Sequence, residues 1–114
     1  MGIRQGAHSG PGTMTDLILL LQADHDIQTA FARCEECQPG RGEVFMRHLD
    51  AALTLLRQHP EIAPVYGGRY RRMLIRDFPY GIFYQAQPKR IVVGAVMDLR
   101  QDPQSIRRKL SIGD

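Results

Sequence analysis

The chain has 114 residues, 43% of them hydrophobic and 24% charged, which is ordinary globular composition for one domain able to bury a modest core. Its formal net charge is +3, unevenly spread: residues 1–60 hold five Lys/Arg against seven Asp/Glu, and residues 61–114 hold ten against five. Two cysteines make no disulfide framework, and the longest purely apolar run, Leu17 to Leu21, is far short of the ~20 residues that a membrane helix needs. A reducing, cytoplasmic setting with no membrane partner is therefore the expectation. The excess positive charge of the second half points to an anionic partner or to a solvated face.

Residues 1–13, "MGIRQGAHSGPGT", are rich in glycine and lack periodicity, and read as a flexible leader to a single domain over residues 14–114. Leu17 to Gln22 reads as a short buried strand. Ile27, Ala30, Phe31 and Cys34 follow helical spacing, with Asp24 and Asp26 placed in the first turn, where the helix dipole favours acids. "QPGRG", residues 38–42, breaks the pattern. A second helix is predicted over about Glu43 to Gln58, with Phe45, Leu49, Ala52, Leu53 and Leu56 on one face and Pro60 closing it. A short loop between two helices predicts an antiparallel hairpin.

After "PEIAPVYGG" the period changes to that of strands. Arg69 to Arg76 is predicted to pair with Tyr80 to Ala86 across a turn at Asp77–Pro79, and Ile91 to Leu99, rich in valine, to follow a second turn at "QPKR". Asp102-Pro103 is a helix start, an acidic N-cap with proline at N1, and "QSIRRKL" places cations at the helix's negative end. The sum is an α+β fold. An N-terminal strand is followed by a helical hairpin packed on a mainly antiparallel sheet of about four strands, with a short C-terminal helix.

The first Arg strand alternates Arg72, Leu74 and Arg76 on one face with Arg71, Met73, Ile75 and Asp77 on the other. Guanidinium is the group suited to phosphate and carboxylate forks, so Arg69, Arg71, Arg72, Arg76 and Arg100 are the candidate partner-binding residues. The plainer reading is arginines that guard an edge strand. Cys34 and Cys37 lack the further ligands that a zinc site needs, and the four histidines show no metal-like spacing. No metal or cofactor is called for. No phosphate loop, HExxH or GxSxG motif occurs, and Ser105 and Ser111 have no supporting context as nucleophiles. Asp98 is the acid or base that could accompany arginines in RNA cleavage, with Tyr80 and Tyr84 read as core aromatics.

The segment "HPEIAPVYGGRYRRMLIRDFPYGIFYQAQPKRIVVGAVMDLRQDP", with "ADHDIQTAFARCEECQPGRGEVFMRHLDAALTLL" before it, resembles the RelE/ParE toxins of type II toxin–antitoxin (plasmid stabilisation) systems. The resemblance spans about residues 16–110. It implies a toxin neutralised by a cognate antitoxin, whose acidic disordered segment folds around it as a toxin–antitoxin hetero-oligomer, alongside a homodimer as the other assembly to test for. RelE-like relatives cleave messenger RNA on the ribosome, and ParE-like relatives poison DNA gyrase. Arg72 falls where the nuclease branch carries a basic residue. Gly81 falls where that branch commonly carries a catalytic arginine, and Asp98 near where some members carry a histidine. Gly113-Asp114 supplies no C-terminal tyrosine. These departures favour the ParE-like branch, leaning away from an enzyme. The alternatives are a ribosome-dependent, metal-independent endoribonuclease using Arg72, Arg76, Asp98 and Arg100, and a non-toxic interaction protein of the same fold.

Overall fold

The computed structural model describes residues 15–111, so the leader expected at residues 1–13 lies outside the described part. In chain order the elements are β1 (Asp16–Leu19), α1 (Leu21–Cys37), α2 (Arg41–Gln58), β2 (Val65–Tyr66), β3 (Tyr70–Leu74), β4 (Tyr80–Gln87), β5 (Arg90–Asp98) and α3 (Pro103–Lys109). The strands form one sheet ordered β1-β5-β4-β3-β2, antiparallel except for β1, which runs parallel to β5.

The expected α+β architecture is present, though the N-terminal strand is mostly exposed rather than buried and the strand expected over Arg69 to Arg76 is Tyr70–Leu74; three further differences have physical causes. The N-terminal strand stops at Leu19 rather than Gln22, because the apolar helical stripe starts at Ala23 and continues through Ile27, Ala30 and Cys34. Leu20 is the extended residue between strand and helix. The second helix starts at Arg41, two residues ahead of expectation. Its first N–H groups have a cap that no local sequence pattern announces: the Glu35 carboxylate of α1 accepts from Gly40 N and Gly42 N, both at 2.9 Å. A Cβ at residue 42 would lie 2.8 Å from both Glu35 Oε1 and the Phe31 ring, so this crossing of the two helices needs glycine. Finally, the sheet has a fifth strand, β2, only two residues long and too short to show a period.

The sheet is covered on both faces. Phe45, Leu49 and Leu56 of α2 share a core with Ile75, Ile82, Tyr84, Ile91, Val93 and Val96 on the sheet side, all nearly or fully buried. The opposite face carries a smaller cluster in which α3 sets Ile106 and Leu110 on Phe83, Ala95 and Met97, with Tyr66, Tyr70 and Leu99 at its margin. This two-sided burial explains why the alternation in β3 to β5 looks unclean in sequence. Along β5 the helix-side residues are Ile91, Val93 and then Val96. The register against β4 jumps between Phe83↔Ala95 and Tyr84↔Val93, leaving Gly94 as an extra residue. That bulge moves Ala95 and Met97 to the α3 face, where unbroken alternation would have kept them on the Val93 face.

The N-cap of α3 forms as expected: the Asp102 carboxylate accepts from Ser105 N at 3.3 Å, and Pro103 occupies the first turn. Ser105 is thereby a capping-turn residue, and its hydroxyl accepts from Arg108 at 3.1 Å.

Candidate partner-binding surface

The five candidate arginines do not share one face. Arg71 points to the helical side and is half-buried. It donates to Ala63 O at 2.7 Å and Glu61 O at 3.3 Å, fastening the loop that leads from α2 into β2. Tyr84, fully buried, donates from its hydroxyl to Pro60 O at 2.8 Å in the same loop, and burial pushes its phenol above the ordinary range. Arg72, the next residue, lies on the other side of the sheet, its guanidinium 5.2 Å from the centre of the Tyr66 ring. Arg69 sits at the β2–β3 turn and reaches Ser111 O at 3.4 Å, close to the basic last turn of α3. Arg76 is exposed beyond the other end of β3, where His48 of α2 donates through Nδ1 to its carbonyl at 2.7 Å.

Arg100 is held by Asp98. Its Nε and Nη2 donate to the two carboxylate oxygens at 3.0 and 2.7 Å, and its backbone N–H adds a third bond at 2.9 Å. The Arg100 side-chain hydrogen bonds hold the Asp98 carboxyl below its ordinary range. Acid and cation of the candidate catalytic set thus satisfy one another. Position 81 is tightly packed on the Arg72 face: a Cβ there would meet the Leu99 methyl groups at 3.1 and 3.2 Å and Arg72 Cγ at 3.3 Å, so these side chains would have to shift to admit one. Tyr80 is buried and packs edge-on to Phe45 at 5.4 Å, a core aromatic as expected.

Among the described residues, three grooves open beside these groups. One, of about 520 Å³, follows the outer side of β5 past the end of β1 and is lined by Leu20, His25, Asp26, Arg33, Val96 and Lys109 among others. Asp26 was expected to serve the α1 dipole. It lies deeper in the helix and instead accepts the Val96 N–H at 3.0 Å, satisfying a β5 amide that β1 is too short to reach. A second groove, of about 500 Å³, runs between α2 and β3 past His48, Leu55, Met73, Leu74 and Arg76. The third, of about 520 Å³, lies at the β3–β4 turn between Arg33, Cys37, Arg41, Phe78, Tyr80 and Arg100. Arg41 stacks over Phe78 at 4.2 Å and donates to Asp77 O at 3.3 Å.

Arg33 and Arg41 were missed because they come from the net-acidic first half, where regional charge hides individual placement. The only sequence signal was an arginine immediately after the glycine that breaks the helices. Cys34 is buried in the core, which raises its thiol above the ordinary range, and Cys37 is exposed. Among the described residues no group of three or more His, Cys, Asp or Glu is placed to hold a metal ion, and no helix is long and apolar enough to cross a membrane.

A strand, a helical hairpin, an antiparallel meander and a short helix on the far face are the architecture of a small α+β toxin of the type II toxin–antitoxin class. The chain belongs to the ParE toxin family: the sequence model for the ParE toxin of type II toxin-antitoxin system, parDE, matches residues 17–103. Among solved structures, a chain of the chromosomal ParDE TA system from P. aeruginosa superposes with a TM-score of 0.64 at 14% identity, covering 79% of this chain and 100% of that one. No curated protein sequence matches.

Proposed function

We propose that this ParE-family toxin acts by binding a host protein, with DNA gyrase as the target, and that a cognate antitoxin neutralises it by laying an acidic segment along the arginine-bordered grooves. The reading is carried by residue 81. The nuclease branch that this chain resembles commonly carries an arginine there, a cation suited to stabilising charge on the scissile phosphate. Here the site is a glycine enclosed by Leu99 and Arg72. The Asp98–Arg100 pair supports the same reading, since a carboxylate already occupied by its neighbouring guanidinium is a poor proton acceptor.

The test sets two assays side by side with purified, folded protein. Gyrase-driven supercoiling should be inhibited, and ribosomes programmed with a defined message should show no cleavage in the A site. Cleavage that disappears with Arg72→Ala would instead establish the endoribonuclease reading. Normal growth of bacteria expressing high levels of the folded protein would establish the non-toxic one.

A further inference from the structure

The two edges of the sheet are treated differently. On one side β2 is two residues long, Pro64 O takes the Arg72 N–H at 3.1 Å, and Arg76 follows the free end of β3. Shortness and charge of this kind discourage edge-to-edge pairing. On the other side β1 is four residues long, and its one charged residue is Asp16. Its sequence, Asp-Leu-Ile-Leu, has no lysine, arginine, proline or bulge, and its outer side has no neighbouring strand among the described residues. An apolar patch continues from it into the helix: Ile18 is 37% exposed, Leu19 38%, Leu20 46% and Leu21 90%.

The backbone of β1 is self-complementary. Leu20 N donates to Val93 O, so alternation turns the Leu17 and Leu19 N–H and C=O groups away from β5. Thr15 also points outward, but its N–H and C=O are engaged by the Arg57 carbonyl at 2.9 Å and Arg57 Nε at 2.8 Å. Only one antiparallel register of two β1 strands uses both free residues. It sets Leu17 of one copy against Leu19 of the other, twice, with Ile18 facing Ile18 on the twofold axis.

That register also brings a second carboxylate to a helix start. The 17-residue helix α1 has Leu20 as its N-cap with no side-chain cap, and Asp24 is the acid in its first turn. The same pairing sets Asp16 of one copy opposite Leu20 of the other, its carboxylate at that uncapped helix start.

We propose that this face binds a second copy of the chain, through antiparallel β1–β1 pairing that joins two sheets across a twofold axis, with Leu20 and Leu21 covered by the neighbouring copy. The interface is isologous and closes at two copies. Pairing through a strand of four residues belongs with the weak, concentration-dependent associations.

The experiment is sedimentation equilibrium of the full chain over a concentration series, with amide hydrogen exchange read in parallel. The mass should rise from 12.9 kDa toward twice that value with concentration. Protection of the Leu17 and Leu19 amides should rise with it, while core amides stay unchanged. Ile18→Lys places two cations on the axis and should abolish the mass increase. Leu19→Pro removes an outward N–H without touching the β1–β5 bonds and should do the same, with circular dichroism showing both variants folded. A monomer at every concentration would overturn the proposal. So would a dimer that persists in both variants, or one whose exchange protection falls on β3.

Discussion

Arg71 and Arg72 are adjacent, chemically identical and differently employed. The first closes two hydrogen bonds to loop carbonyls on the helical side, and the second lies over Tyr66 on the other. Arg71→Ala leaves the Ala63 and Glu61 carbonyls without that donor in a part-buried setting, so unfolding free energy should fall by about 1–2 kcal/mol. Arg72→Ala removes only a partly exposed cation–π contact, and its loss should stay within about 1 kcal/mol. Denaturant melts of the two variants measure this directly, and equal losses would refute the assignment. Antitoxin binding should rank them the other way. Alternation in the sequence was enough to separate the two residues onto opposite faces. It could not say which face the helices would cover, because Met73 and Leu74 are equally apolar. In the fold Met73 packs against the core, and Leu74 is 59% exposed.

At the scale of elements, the α1–α2 junction is held by one carboxylate. The Gly40 and Gly42 N–H groups lower the Glu35 pKa below the ordinary glutamate range, so Glu35 releases its proton more readily folded than unfolded. A depressed folded-state pKa gives a contribution that is fully present above the unfolded value and disappears as pH falls through the folded one. Melting temperatures of the native chain and of Glu35→Gln should therefore differ most near neutrality and converge once the pH falls below the lowered Glu35 pKa. A constant gap across that range would show that the cap acts through shape alone. Asp98, lowered in the same direction by Arg100, adds to acid sensitivity at the other junction, between β5 and α3. This junction also shows the limit of local reading. Helical periodicity located α1 and α2, and strand periodicity located the β3–β4–β5 meander, because each records a repeating local burial. The Glu35 cap, the parallel pairing of β1 with β5 and the Asp26 bond to Val96 join residues that no short-range pattern relates. The Gly94 bulge left a faint mark, a glycine inside a valine-rich strand.

For the molecule as a whole, the division into an acidic first half and a basic second half dissolves on folding. Arg33 and Arg41 of the helices meet Arg100 around the β3–β4 turn, while Arg69 lies with the basic turn of α3 at the other end of β3. The arginines are therefore gathered at two ends rather than on one face, with Glu36 and Asp77 among those at the turn. Arg69 and Arg76 are separated along β3 by about 20 Å at the usual strand rise. That exceeds the Debye length of about 8 Å at physiological salt, so the two ends act on an approaching acidic segment independently. Association of the toxin with its purified antitoxin should slow as salt is raised, because the steering is electrostatic. Arg69→Ala and Arg76→Ala should each slow it further at low salt, and their effects on the logarithm of the rate constant should add in the double variant. Stopped-flow measurement of the four proteins at two salt concentrations tests this. A rate insensitive to salt would move recognition from the charged ends to the apolar walls of the grooves. Strong coupling between the two substitutions would mean that a single compact epitope, not a segment wrapped from end to end, makes the encounter.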